Sequence, residues 1–284
     1  VNNYKIADIC INIQGEVGPF LKEHLAEYKV DCTDSIDITI CNMNADSILL
    51  PDGQFYRGNF RWNWILPKSG GYAAFQRYPL GQDVVSLFEA DKDWKDIRLK
   101  LKHVENRVGA TVDSRSYVAI GEIFAYSLFK REGIALHSSA IAYNNEAILF
   151  SAPSGTGKST HTALWKKYYN AVIFNDDFPA IRFIDARAYA YGTPWSGKSK
   201  INCNMRVPIK AIVFIERAQK PTIRPISRVE AIGRIMSEVR KPVFPEMMEE
   251  CLNIIGRLVE NVAFYVLSCD ISKDAVDLVR ETCL

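Results

Sequence analysis

Two stretches of the chain spell a phosphate-binding loop: APSGTGKS at 152–159 and GTPWSGKS at 192–199. The second fits the pattern G-x-x-x-x-G-K-[ST] at every letter, while the first has Ala152 where glycine is asked for. Such a loop works because consecutive backbone N–H groups converge on phosphate oxygens and a following helix aims its positive end at them. Context therefore decides between the two. The apolar run EAILFS precedes APSGTGKS and the helix-forming STHTALWKKYY follows it, the order of strand, loop and helix that this chemistry needs. GTPWSGKS is followed by KINCNMRVPIK, in which Asn, Cys and Pro208 make a poor helix.

On this reading Ser154, Gly155, Thr156, Gly157, Lys158, Ser159 and Thr160 bind nucleotide phosphates. Gly155 and Gly157 allow close backbone approach, Lys158 places its charge on the β and γ groups, and the Ser159 hydroxyl ligates magnesium. Further on, AVIF leads into Asn175, Asp176 and Asp177. Two adjacent carboxylates at a strand end can divide the work: one holds the metal and the other takes the proton of an incoming hydroxyl. That division marks a kinase rather than an NTPase that only orients water. The alternative for the pair is a solvated turn ahead of Pro179. The second loop then becomes a candidate substrate loop. Thr193, Trp195, Ser196, Gly197 and Lys198 lie in it, with Trp195 offering a flat apolar face and Lys198 a mobile cation.

The elements that must position these residues fall into two parts. Residues 1–110 offer short apolar or alternating runs separated by PDG, PKSGG and PLGQD, which predicts a β-rich module with a candidate helix at PFLKEHLAEY. Residues 111–284 form the nucleotide-binding domain, so the fold class is mixed α/β. The spacing of Ala119, Ile120, Ile123, Phe124 and Leu128 predicts a buried helix, capped by Ser114 and ended at Gly133. SSAIAY and EAILFS read as a hairpin turned by Asn144 and Asn145. Strands AVIF, AIRFI, AYAY, AIVFI and VAFYVLS follow, with helices near VEAIGRIMSEV, EMMEECLNIIGRLV and SKDAVDLVRETC.

Composition narrows the partners. Thirty-five basic against 33 acidic residues give a net charge of +2 without long runs of either sign, which argues against nucleic acid or an anionic membrane as partner. The seven cysteines are odd in number and never spaced as C-x-x-C, which argues against a disulfide framework or zinc ribbon and for the cytoplasm. Composition leaves the oligomeric state open.

H-S-S-A at 137–140, S-G-T-G-K-S-T at 154–160 and F-N-D-D at 174–177 together resemble the superfamily of HPr kinases and ATP-dependent phosphoenolpyruvate carboxykinases. HSSAIAYNNEAILFSAPSGTGKST with the later YGTPWSGKS is similar to short HPr-kinase-like proteins of bacteria. These include kinases for a serine of peptide precursors and one for free serine. The resemblance covers about half of the chain and implies a mixed α/β sandwich, ATP and Mg2+ as cofactors, and an alcohol acceptor. By position it makes Asp176 the base and Asp177 a metal ligand, and it matches His137 to a histidine ahead of the phosphate loop. The acceptor this implies is a serine hydroxyl of a peptide or protein. The alternatives are a small hydroxyl compound, a carboxykinase-type lyase, which would need arginines facing Lys158, and a non-catalytic nucleotide sensor.

Overall fold

The computed structural model describes residues 2–31, 35–58, 62–78, 83–104 and 111–284. Cys32, residues 60 and 61 of the expected strand FRWNWILP, and residues 79–82 of the expected turn PLGQD lie outside them. The chain forms two compact units, Val1–Lys130 and Arg131–Leu284. The division expected at 110/111 borders residues 105–110, which are also outside the described set.

The first unit contains β1 (Asn3–Ile6), β2 (Ile9–Gly15), α1 (Pro19–Leu25), β3 (Ile38–Ala45), β4 (Gly53–Tyr56), β5 (Asn63–Pro67), β6 (Tyr72–Arg77), β7 (Val84–Ala90), β8 (Asp96–Lys102) and α2 (Val112–Ser127). Its sheet has eight strands in the order β1-β2-β3-β8-β7-β6-β5-β4. One feature of this sheet is not announced by alternation alone: β2, β3 and β8 run parallel. Helix α1 provides the crossover that parallel neighbours require. Helix α2 is tied to the sheet by Arg115, which donates to the Val85 carbonyl at 2.8 Å and the Lys102 carbonyl at 2.5 Å. Its Tyr126 packs on Trp64 and Trp94, and both of these on Phe88, with ring centroids 4.7 to 6.0 Å apart. Such contacts add about 0.5 to 1.5 kcal/mol per pair beyond the area they bury.

The α2 ends differ from expectation. Thr111 is the cap, accepting from the Ser114 N–H at 3.1 Å. The helix stops at Ser127 and passes through a 3-10 turn at Phe129–Arg131. Glu132 takes the left-handed conformation at φ 52°, and Gly133 instead opens the next strand.

The second unit contains β9 (Gly133–Ala135), β10 (Ser138–Tyr143), β11 (Glu146–Ser151), α3 (Lys158–Tyr169), β12 (Val172–Asn175), β13 (Ala180–Ile184), β14 (Arg187–Tyr191), β15 (Arg206–Arg217), β16 (Thr222–Pro225), α4 (Arg228–Glu238), α5 (Pro245–Asn261), β17 (Ala263–Cys269) and α6 (Lys273–Cys283). Its nine-stranded mixed sheet runs β12-β10-β11-β15-β14-β13-β9, with β17 on β15 and β16 on β17. Asn144 and Asn145 turn the β10/β11 hairpin at φ 50° and 63°, the left-handed pair that matches strand twist. The long β15 is the hinge of the sheet, parallel to β11 and β17 along its second half and antiparallel to β14 at its start. Its alternation sorts the layers. Ala211, Val213 and Ile215 join Phe150, Trp165 and Val279 in the core under α3 and α6, while Phe214 carries the Arg234 guanidinium of α4 at 5.6 Å. The chain is therefore mixed α/β, with two sheets and six α-helices among the described residues.

Candidate active site

The segment from Ala152 to Gly157 leaves the carboxyl end of β11 and enters α3 directly. Gly155 and Gly157 have φ +80° and +124°, and a Cβ added at either would meet no atom within 4 Å. Both are thus glycine for their backbone angle, and the space above the loop is clear. Thr111, Ser227 and Ser272 cap α2, α4 and α6 with their side chains, but no side chain caps α3. The first-turn N–H groups of α3, which no intrahelical carbonyl can take, are left to face a ligand. Ala152 is buried in the core under α3, which accounts for an alanine at that position.

Lys158 opens α3 yet is only 7% exposed. Its Nζ donates to the Ala152 carbonyl at 2.7 Å and lies 3.0 Å from His137 Nε2. Burial lowers its pKa, against the opposing pull of Glu238 and Asp177. His137 approaches Asp177 Oδ1 at 3.4 Å through Nε2 and Glu238 Oε2 at 2.7 Å through Nδ1. Hydrogen bonding to Asp177 and then Glu238 raises its pKa, while burial and Lys158 push the other way. Lysine and imidazolium cannot both donate along the same 3.0 Å line. With the ammonium intact, Nε2 offers its lone pair and Nδ1–H goes to Glu238; with Nε2 protonated, that proton goes to Asp177.

Asp176 and Asp177 follow β12. Asn175 sets their turn: its Oδ1 accepts from the Asp177 N–H at 3.0 Å and the Phe178 N–H at 2.7 Å. Its Nδ2 donates to the Thr193 carbonyl at 3.0 Å, and Thr193 Oγ1 donates to the Phe178 carbonyl at 2.7 Å. The two loops are thereby pinned together. Asp176 is 5% exposed and its Oδ1 accepts from the Gly197 N–H at 2.6 Å. Its Oδ2 makes no hydrogen bond among the described residues.

A cleft of about 460 Å³ collects these groups: His137, Ser154, Gly155, Gly157, Lys158, Ser159, Thr160, Asp176, Asp177, Gly197, Lys198 and Ser199 line it. Ser159 and Lys198 are exposed within it. Thr193 and Trp195 do not line it; they are buried, Trp195 at 7% exposure. The flat apolar face expected of Trp195 is spent on packing, so the part of the second loop that reaches the cleft is Gly197 to Ser199. An arrangement of loop amides, a buried lysine and a paired carboxylate can neutralise a transferring phosphoryl group and take a proton from its acceptor.

A family model described as SynChlorMet cassette protein ScmC matches residues 116–278, more than half of the chain. The chain belongs to this family. The ScmC match spans every cleft residue, including both loops and the aspartate pair. Among solved structures, a similar chain is the HPr(Ser) kinase/phosphatase from Coxiella burnetii, at 10% identity over 52% of this chain and 94% of that one, with a TM-score of 0.31. No curated protein matches the sequence significantly.

Two residues at the site carry no sequence signal. Glu238, at the end of α4, orients His137 from 101 positions away. Arg217, at the end of β15, donates through its guanidinium to the carbonyls of Gly155 and, at 3.2 Å, of Thr156. It braces the outer side of the glycine loop. No helix among the described residues is long and apolar enough to cross a membrane.

Proposed function

We propose that the chain is a magnesium- and ATP-dependent kinase that transfers the γ-phosphate to an alcohol, a serine hydroxyl of a peptide or protein. The observation that carries this is the shared cleft: an uncapped helix start with open glycines, and opposite it Asp176 held by the Gly197 amide. Loop amides and Lys158 bind and orient the phosphates. Asp176 holds its carboxylate toward the acceptor and removes the hydroxyl proton.

Ser159 and Asp177 line the same cleft and offer oxygen donors only, the set a magnesium ion takes alongside phosphate and water. Among the described residues no three His, Cys, Asp or Glu side chains gather as a metal cage, which suits an ion completed by nucleotide oxygens rather than by protein. The ion when bound neutralises charge on the β and γ phosphates. Among the described residues the cleft lining includes no arginine, which weighs against the clustered arginines that a carboxykinase needs for its carboxylate substrate. The likeness to HPr kinases in H-S-S-A, S-G-T-G-K-S-T and F-N-D-D supports the kinase reading.

The test is incubation with magnesium ATP and separate pools of peptides, proteins and small hydroxy compounds, read by mass spectrometry for one added phosphate. The expected product is a phosphoserine peptide; phosphorylation of free serine instead would move the acceptor to the small-molecule class. Asp176→Asn is expected to keep nucleotide affinity and lower kcat by about 10² to 10⁴. ATP hydrolysis alone with every pool refutes the kinase reading, and full phosphoryl transfer in Asp176→Asn refutes Asp176 as the base.

A further inference from the structure

Gly155 and Gly157 bring to the loop between β11 and α3 a freedom that the loop's own side chains do not remove. At φ +80° and +124°, with no atom within 4 Å of an added Cβ, either glycine lets the peptide beside it turn over, so that a carbonyl oxygen rather than an N–H faces the cleft. A cleft edged with carbonyl oxygens repels phosphate. A group outside the loop has to set which way these peptides face.

Arg217 is placed to do so. β11 and β15 run parallel with Ser151 beside Phe214, and β15 continues to Arg217 after β11 has given way to the loop. That strand end is still paired to β17, Arg217 beside Cys269, and the Ala218 N–H donates to the Cys269 carbonyl at 2.9 Å. From this fixed base the guanidinium donates to the Gly155 carbonyl through Nη2 and to the Thr156 carbonyl through Nε at 3.2 Å. The neighbouring Glu216 carboxylate is taken by Arg234 at 2.8 Å, and Arg217 makes no ion pair among the described residues, so its charge is directed at the two carbonyls. No cis peptide bond occurs among the described residues, and in a trans peptide C=O and N–H point in opposite directions. The peptide between Gly155 and Thr156 is held at both ends, since the Thr156 N–H meets the Pro153 carbonyl at 3.2 Å. The next peptide is held at its oxygen alone. Its other end, the Gly157 N–H, takes no acceptor among the described residues, and Gly157 lines the cleft while Thr156 and Arg217 do not.

We propose that Arg217 is a positioning residue for nucleotide: its fork holds the two carbonyl oxygens away from the cleft, so that the Gly157 N–H joins the first-turn N–H groups of α3 as a phosphate donor before any nucleotide arrives. A carbonyl that accepts from a charged donor also polarises its own peptide, which strengthens the N–H at the other end. A loop ordered in advance binds more tightly than one that binding itself must order. Arg217 acts through the loop, and this role rests on the reading of 154–160 as the nucleotide loop of the proposed kinase.

Magnesium ATP is titrated by calorimetry into the full chain and into its Arg217→Ala and Arg217→Lys variants, with the Gly157 amide signal followed by NMR and the denaturant midpoint measured on each. Arg217→Ala is expected to weaken ATP binding about tenfold or more and to shift the Gly157 amide signal of the ATP-free protein. The midpoint is expected to stay where it is, because the side chain is exposed. Arg217→Lys keeps the charge without the planar fork, and its affinity is expected to fall between the other two. Unchanged ATP affinity in Arg217→Ala overturns the role, as does full wild-type affinity in Arg217→Lys, which assigns the effect to charge alone. A wild type that binds no ATP is a different failure: it removes the nucleotide loop itself, and this role with it.

Discussion

The loops at 152–159 and 192–199 share the letters G-K-S yet are built on opposite principles. In the first, Gly155 and Gly157 sit at positive φ with open space where a side chain would go, and a helix begins at Lys158. In the second, a Cβ on Gly192 would lie 1.8 Å from the Cys203 carbonyl oxygen, because the Cys203 N–H pairs with Phe174 alongside. One glycine pair leaves open space above its backbone; the other glycine makes room for the protein's own backbone. A phosphate motif is thus a statement about where N–H groups point, and letters alone do not fix that.

The lysines provide the sharpest break. Lys158 is buried against the Ala152 carbonyl and His137, whereas Lys198 is exposed and makes no ion pair among the described residues. Lys158→Ala is expected to lower phosphoryl transfer by about 10³-fold or more, and Lys198→Ala to raise the acceptor KM by less than about tenfold with ATP affinity intact. Collapse of ATP binding in Lys198→Ala, with Lys158→Ala unaffected, would invert the assignment of the two loops.

The glycines should separate stability from binding. Gly192→Ala is expected to cost more than about 3 kcal/mol of unfolding free energy, since backbone and not a flexible side chain must yield. Gly155→Ala costs about 1 kcal/mol through its φ of +80° but should weaken ATP binding at least tenfold. Denaturant unfolding and nucleotide titration on both variants check the crossing. Equal loss of stability in the two would erase the distinction.

What was legible in the sequence follows the range of the interactions. The Asn144-Asn145 hairpin, the strand ahead of Ala152 and the helix after Gly157 are set within a few residues, and the sequence reads them correctly. Glu238 and Arg217 reach the site only because β15 and α4 return to it, and no local pattern marks them. The parallel register of β2, β3 and β8 is likewise decided by pairing partners distant in sequence. Trp195 reads as a surface aromatic beside two glycines, but Thr193 ties its loop inward through Phe178 and Asn175. At α2 two hydroxyls compete for the cap, and Ser114 instead donates its own Oγ to the Thr111 carbonyl at 3.0 Å.

Acid should find the first loop before the second. His161, in the opening turn of α3, is 3% exposed, and burial pushes its pKa down to about 4. The folded state keeps the ring neutral while the unfolded chain protonates it near pH 6.5. Its contribution is therefore complete above that pH and is lost as pH falls toward 4, by about 3 kcal/mol in all. His137 works in the opposite sense: its raised pKa adds stability that is full below the unfolded value and lost as pH rises through the folded one. Denaturant unfolding between pH 7 and pH 4 is expected to show a decline in the wild type that His161→Gln flattens. A variant whose unfolding free energy falls in parallel with the wild type would remove His161 as the cause. The second loop carries no histidine, so the same acid step should leave the Gly197 amide protected from hydrogen exchange longer than the interior amides of α3, which intrahelical carbonyls hold.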